Sequence, residues 1–459
     1  MKSPLMKSVS GIRGIVGESF TPELLVSAAS AFSRYVNYGN VVVGRDSRPT
    51  GEAVSMNIIS SLLLAGCNVI DIGIVPTPTV EIMVKELKAA GGIVISASHN
   101  PIEWNALKFI NSSGTFLTSK EINKLFKLMD SPSAFKKWDR VGKLTKNHSA
   151  EDIHIKKILD CINIKKIQKR KIHVILDSVN GAGSLITPKL LDRLNCKVTT
   201  INCKPDGMFP RGAEPLPENL SQLSEAVIKN KADIGFAQDP DADRLAIVDE
   251  KGKPIGEEYT IALVAEHILS KKRNNKGNIK GSVVVNLSTT KAVEDIALKF
   301  NVSFFRAKVG EINVVEEMKK RKAIIGGEGN GGVISPEIHS GRDSLAGIGY
   351  VLEMISERDK KLSDIVNELP DYYMKKGKVI LKQGIDINSV LADIKRRFKD
   401  EKISDIDGLR IDFNKHPDFK NGWVHLRSSN TEPVFRIIAE SPSIKETELI
   451  YRFFAGILK

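Results

Sequence analysis

Cysteine is scarce in this 459-residue chain. There are four, Cys67, Cys161, Cys196 and Cys203, with no CxxC pair and no metal-ligand spacing. That argues against a disulfide framework or a cysteine-based zinc site and fits free thiols in a reducing cytoplasm. Long apolar runs are missing too, since no window approaches the roughly 20 residues of a membrane helix. The opening MKSPLMKSVSGIRG lacks the apolar stretch of a signal peptide. GxxxxGK[ST] does not occur, so an NTPase P-loop is not how phosphate would be held. GxSxG is absent, which excludes the serine-hydrolase elbow. Low-complexity tracts and short solenoid repeats are likewise absent.

What is present is ordinary in bulk and particular in its loops. Hydrophobic content of 41% and aromatic content of 6% fit a soluble globular protein. The length calls for roughly three or four domains. A net charge of +13 suggests nucleic acid first, but the basic residues are scattered. The densest run, KKIQKRK at 165–171, carries no aromatics and precedes a strand, so it reads as a solvated connector. A basic enzyme that gathers phosphorylated small molecules fits the charge equally well.

Strand and helix alternate three times over. Strands are expected at VVVG (41–44), VIDIG (69–73) and GGIVIS (91–96), with helices over Glu23–Arg34 and Ala53–Leu64. The rhythm restarts at HVILD (173–177) and ADIGFAQ (232–238), and again at SVVVN (282–286), SFFRA (303–307) and AIIGG (323–327). From about residue 370, the strands KVILK, LRIDF, WVHLR and VFRII have fewer helices between them. The fold class is therefore α/β: three tandem α/β domains with mixed, largely parallel sheets, then a smaller C-terminal α+β domain. The expected boundaries are 1–150, 151–253, 254–368 and 369–459.

Ligands of open α/β sheets bind outside the carboxyl ends of strands. Three such loops carry polar chemistry. SASHNP, after GGIVI, presents Ser98 and His99 in a tight turn. Alone, it is as readily a helix cap or a turn, and neighbours in a chain seldom face each other. DPDADR crowds Asp239, Asp241 and Asp243 into five residues, which calls for a hard cation such as Mg²⁺. Glu250 stands at the twelfth position of an EF-hand-like count, but Arg244 occupies the glycine position and the flanks read as strands. GGEGNGG sets Glu328 among glycines, either for sugar hydroxyls or as a flexible turn. In the last part, RSSNTEPVFR offers Arg427, Ser429, Asn430 and Thr431, the donors a phosphate dianion needs or a hairpin with a surface arginine.

Together, SGIRG (10–14), SASHNP, DPDADR, GGEGNGG and RSSNTEP resemble the motifs of the α-D-phosphohexomutases, the phosphoglucomutase/phosphomannomutase superfamily, in order and across nearly the whole chain. VVVGRDSRPTG, LDSVNGAGS and PDGMFP add to the match. GGEGNGGVISPEIHSGRDSLAGI and VGEINVVEEM look most like the phosphoglucosamine mutase branch. The resemblance implies four domains around one central cleft, each giving one loop. It makes Ser98 the phosphoserine and gives Asp239, Asp241 and Asp243 the Mg²⁺, together with a phosphate oxygen on Ser98. Lys108, in WNALKF, becomes the candidate general acid/base, and Arg13 and Arg244 the stabilisers of the moving phosphoryl group. Glu328 and Asn330 would face the sugar, and Arg427, Ser429, Asn430 and Thr431 would grip the phosphate that is not reacting. Relatives often carry Ser-Gly-His where this chain has Asn330, Gly331 and Gly332, leaving His339 or Lys108 to stand in for the histidine.

The expected activity interconverts the 1- and 6-phosphates of a hexosamine or hexose, glucosamine phosphate first, through a phosphoserine and a 1,6-bisphosphate. A hexose 1,6-bisphosphate is the expected activator. The alternatives are a phosphomannomutase/phosphoglucomutase of the same fold or a serine-dependent metal phosphatase. A cytoplasmic monomer or homodimer acting on a small sugar phosphate, with neither nucleic acid nor membrane as partner, completes the expectation.

Overall fold

The structure is a computed structural model that describes residues 5–273, 279–380, 386–428 and 434–458. Four sheets follow one another along the chain, with seven, four, four and five strands. The first three share one plan. In each, four strands lie in the spatial order second, first, third, fourth, and the fourth runs antiparallel to the third. In the first sheet these are Val41–Arg45, Val69–Ile74, Gly91–Ile95 and Trp104–Asn111. In the second they are His173–Asp177, Lys197–Ile201, Ile234–Gln238 and Leu245–Val248. In the third they are Ser282–Asn286, Ser303–Ala307, Ala323–Glu328 and Gly332–Ile334. The first sheet adds Leu144–Lys146 at one edge and a hairpin, Met6–Ser8 with Gly11–Ile15, at the other. The fourth sheet is antiparallel throughout.

The central strands read as uninterrupted β-branched runs because helices cover both their faces. Gly91–Ile95, His173–Asp177, Ile234–Gln238 and Ser282–Asn286 are buried at every position. The alternation read from the sequence holds: helices run Pro22–Tyr35 and Gly51–Ala65, and HVILD, SVVVN and SFFRA are strands over their whole length. KKIQKRK departs from expectation. It forms the helix Ile164–Arg170, started by the Asn163 side chain and anchored by buried Ile167. Arg170 then pairs with Asp359 at 2.8 Å, so one apolar contact and a cap outweigh the charge.

One hydrophobic core runs without a break through the second and third sheets and their helices, from Leu176 and Phe236 to Val283, Val333 and Leu345. The fourth sheet packs its own core, around Phe413, Phe435 and Phe454. Its contacts with the third domain include polar ones such as Ser288 with His425 at 2.9 Å and the Val309 amide with Asp407 at 2.9 Å. No described helix is long and apolar enough to cross a membrane.

Candidate active site

The shared plan puts three loops in equivalent places, each linking the third strand to the antiparallel fourth. The first is SASHNP. Ser98 there adopts a left-handed backbone, φ +50°, which costs a non-glycine residue about 1 kcal/mol or more. Arg48 holds the loop in that shape. Its buried guanidinium donates to the carbonyls of Ser98 and Asn100 at 2.7 Å each and of Pro101 at 2.6 Å, and it pairs with Asp46 at 3.2 Å. The Ser98 amide donates to Ser96 Oγ at 3.0 Å. This turn aims Ser98 Oγ at Asp239 Oδ2, 3.1 Å away in the second domain. It also brings His99 Nδ1 within 3.4 Å of the same hydroxyl, so these neighbours do face each other. The charge of Arg244, with burial and Arg13 behind it, pushes the His99 imidazole well below its usual value, which leaves it neutral.

The second loop brings Asp239, Asp241 and Asp243 together, with one ligand oxygen from each within 4.8 Å of the others and all three side chains buried. Asp239 Oδ1 accepts from the amides of Asp243 and Arg244 at 3.1 Å each. Asp241 Oδ2 accepts from Thr77 Oγ1 and from Lys108 Nζ, the latter at 2.5 Å. Asp243 Oδ2 accepts from Arg342 Nη2 at 2.6 Å. The opposite oxygens, Oδ1 of Asp241 and of Asp243, are buried without a hydrogen bond. In Asp241 and Asp243 one oxygen is held from behind and the other makes no hydrogen bond, with Arg244 Nε 3.8 Å from Asp243 Oδ1, and this pattern suits carboxylates that ligate a hard divalent cation, so the site fits Mg²⁺. Burial, with Asp243 and Asp241 close by, pushes the Asp239 carboxyl well above the usual range. Burial would also raise Asp241, but Lys108 and Thr77 outweigh it and hold that carboxylate low. For Lys108 burial favours the neutral amine, and Asp241 and Asp243 reverse the balance so that the ammonium persists.

The third loop ends a strand at Glu328, whose Oε1 accepts from Asn286 at 2.7 Å and from the Gly310 amide at 2.9 Å. Its Oε2 accepts from Arg342 Nη1 at 2.8 Å. Burial alone would raise this carboxyl, and Arg342, Asn286 and Gly310 hold it below its usual value. Asn330 Oδ1 turns back onto the Gly332 amide at 3.2 Å.

The three loops meet at one cavity of about 360 Å³, which Ser98, Arg13, Lys108, Arg244, Glu328, Asn330 and Arg427 all line, while Asp239, Asp241 and Asp243 are buried and not part of its wall. Arg13 donates to Asn100 at 3.1 Å, and Arg244 pairs with Glu214 at 2.8 Å. From the fourth domain, Arg427 is held by Asp407 at 3.1 Å with Arg436 beside it on the wall. Ser429, Asn430 and Thr431 lie outside the described residues. His339 is not on the cavity wall; it is buried between Glu81 and Asp343. Sequence reasoning missed Arg48, Arg342 and Lys376. Lys376 also lines the cavity and joins the fourth domain to Glu257 and Glu258 of the third at 2.9 and 2.8 Å. Most of their partners are remote in sequence, and RDSRPTG for Arg48 and GRDSLAGI for Arg342 marked the segments without marking what these side chains hold.

Domain models of phosphoglucomutase/phosphomannomutase cover almost the whole chain. Those for α/β/α domains I, II and III match residues 5–135, 152–252 and 256–373, and that for the C-terminal domain matches 378–456. The chain belongs to this family, the α-D-phosphohexomutases, whose chemistry is of the phosphohexomutase type. It is 39% identical to a phosphoglucomutase/phosphomannomutase of Thermococcus kodakarensis over 94% of each chain. It is 33% identical to a probable phosphoglucosamine mutase of Methanopyrus kandleri over 98% of this chain and 97% of that one. Among solved structures, a phosphoglucomutase/phosphomannomutase family protein of Burkholderia thailandensis superposes with a TM-score of 0.84 at 26% identity, covering 99% of this chain and 98% of that chain.

Proposed function

We propose that the protein interconverts the 1- and 6-phosphates of a hexosamine or hexose, glucosamine phosphate first, through phospho-Ser98 and a 1,6-bisphosphate. The observation that carries this reading is the 3.1 Å approach of Ser98 Oγ to Asp239 inside a cavity that Arg427, from the fourth domain, also lines. A hydrolase needs no second phosphate grip, whereas a mutase must hold one phosphate while the other reacts.

Mg²⁺ held by Asp239, Asp241 and Asp243 with an oxygen of the phosphorylated Ser98 would supply the positive charge that phosphoryl transfer calls for. Arg13 and Arg244, which line the same cavity as Ser98, stabilise the moving group. In the first half, the bond from phosphorus to Ser98 Oγ breaks and one to the sugar hydroxyl oxygen forms. Lys108, an ammonium, gives a proton to Ser98 Oγ as that oxygen leaves phosphorus and takes the sugar hydroxyl proton in its place. The bisphosphate then reorients, the other phosphate returns to Ser98 Oγ, and the proton goes back to the freed sugar oxygen. Glu328 and Asn330 contact the sugar, while Arg427, with Ser429, Asn430 and Thr431, grips the idle phosphate. A fourth domain with its own core can move to admit the sugar and then exclude water.

The test is ³¹P NMR of the protein with Mg²⁺, trace hexose 1,6-bisphosphate and, in turn, glucosamine 6-phosphate, mannose 1-phosphate and glucose 1-phosphate. Interchange of 1- and 6-phosphate signals is expected, fastest for glucosamine phosphate. Release of inorganic phosphate instead would make the serine a phosphatase nucleophile. The name of the Methanopyrus kandleri relative supports the amino sugar, and that of the Thermococcus kodakarensis relative supports mannose and glucose as the next to try.

A further inference from the structure

Gly332 has no space for a side chain. A Cβ there would meet Arg342 Cδ at 2.3 Å and Cγ at 3.0 Å. The backbone at Gly332 is not left-handed, so the constraint is room and not conformation. The Arg342 stem lies over the glycine, and its guanidinium reaches three carboxylates on three different segments. Nη2 is 2.6 Å from Asp243 of the metal loop, Nη1 is 2.8 Å from Glu328 of the third loop, and Nε is 3.1 Å from Glu311 at the start of the helix Glu311–Arg321. The Arg342 amide donates to the other Glu311 oxygen at 3.1 Å, which fixes the base of the side chain. A guanidinium can serve three acceptors in fixed directions, whereas a lysine ammonium is a point charge without that geometry. Nor does arginine give up its proton at working pH, so this corner of the site supplies orientation and charge balance.

We propose that Arg342 is a positioning residue that sets the metal-binding Asp243 and the sugar-facing Glu328 relative to each other, and that Gly332 provides the space it needs. The proposal rests on the reading of the cleft as a metal-assisted phosphotransfer site. With Oδ2 of Asp243 fixed by Arg342, Oδ1 is left to face a cation, and the same guanidinium fixes the carboxylate of Glu328. Substrate orientation and metal geometry are thus tied through one side chain.

Two variants test it. R342K keeps the charge and removes the fork. G332A keeps the guanidinium and adds one methyl that the pinned stem must avoid. Mn²⁺ binding to the full-length protein without sugar, followed by electron paramagnetic resonance, is the first readout. Affinity is expected to fall about tenfold or more in both variants. The second readout is turnover at saturating metal, measured well below the thermal midpoint of each variant, where KM for the sugar phosphate is expected to rise more than kcat falls. If both variants bind Mn²⁺ within about twofold of the wild type and keep its KM, the proposal is overturned. If R342K does not fold, G332A decides alone. A wild type that binds Mn²⁺ about tenfold better than G332A yet turns over no sugar phosphate would support the role of Arg342 while overturning the mutase reading.

Discussion

Ser98 Oγ and Asp239 Oδ2, 141 residues apart in the chain and in loops of different sheets, lie 3.1 Å from each other. The oxygen proposed to carry the phosphoryl group thus belongs to one domain and the carboxylate that meets it to the next. Ser98→Ala removes the oxygen that would carry the phosphoryl group and leaves the backbone hold of Arg48 on the loop in place. Turnover is expected to fall by at least about 10⁴-fold. Circular dichroism and a thermal melt indistinguishable from wild type would show that the loss is chemical.

The aspartate cluster predicts a strict cation requirement. Chelation should abolish turnover and Mg²⁺ restore it. Asp241→Asn removes a charged ligand and the partner of Lys108, and it should raise the Mg²⁺ concentration for half-maximal activity at least about tenfold. A titration of initial rate against Mg²⁺ checks this.

Arg48 predicts a stability effect. Arg48→Met strands buried Asp46 and leaves the carbonyls of Ser98, Asn100 and Pro101 without their donor. Breaking a buried ion pair on one side costs about 3–5 kcal/mol. Urea unfolding of the variant should show a loss of that order, together with lower kcat from a Ser98 loop no longer held in its left-handed turn.

Arg427 predicts a change in binding. Arg427→Ala should raise KM for the sugar monophosphate about tenfold or more, with a smaller change in kcat, since in the proposed reaction Arg427 grips the phosphate that is not reacting. Steady-state kinetics at saturating Mg²⁺ would separate the two.

His339 predicts a pH dependence of stability. Its ring stands 3.4 Å from Glu81 and 3.3 Å from Asp343, with His154 also on Asp343 at 2.9 Å. Burial lowers its pKa, but Asp343 and Glu81 more than reverse this and lift it from 6.5 to about 9. A histidine raised by folding stabilises fully below its unfolded value, and that contribution is lost as pH rises through the folded one. The unfolding free energy from urea titrations should therefore fall between pH 6.5 and about 9 by an amount on the order of 3 kcal/mol, and His339→Gln should flatten that slope.

The strands and their loops were legible in the sequence because β-branched runs such as SVVVN end abruptly in polar residues, and chemistry sits where a sheet stops. Ser98, the aspartates and Glu328 could be found that way. What could not be found are the residues that hold them. Arg342 lies 99 residues from Asp243, and Arg48 lies 50 from Ser98, so the motif segments that contain them gave no sign of what these side chains hold. The identical strand order of three sheets is equally silent, since it resides in pairing and not in spacing. KKIQKRK misled because its charge hides one buried isoleucine. His339 looked available from its nearness to the third loop in sequence, and folding turned it into the interface behind the site.

The most direct measurement follows the phosphoryl group itself. The protein is incubated with Mg²⁺ and hexose 1,6-bisphosphate labelled with ³²P, the labelled peptide is identified, and unlabelled glucosamine 6-phosphate is added. The account predicts label on Ser98 that leaves with the sugar as a bisphosphate. Label that never reaches Ser98, or that leaves it as inorganic phosphate, would contradict it.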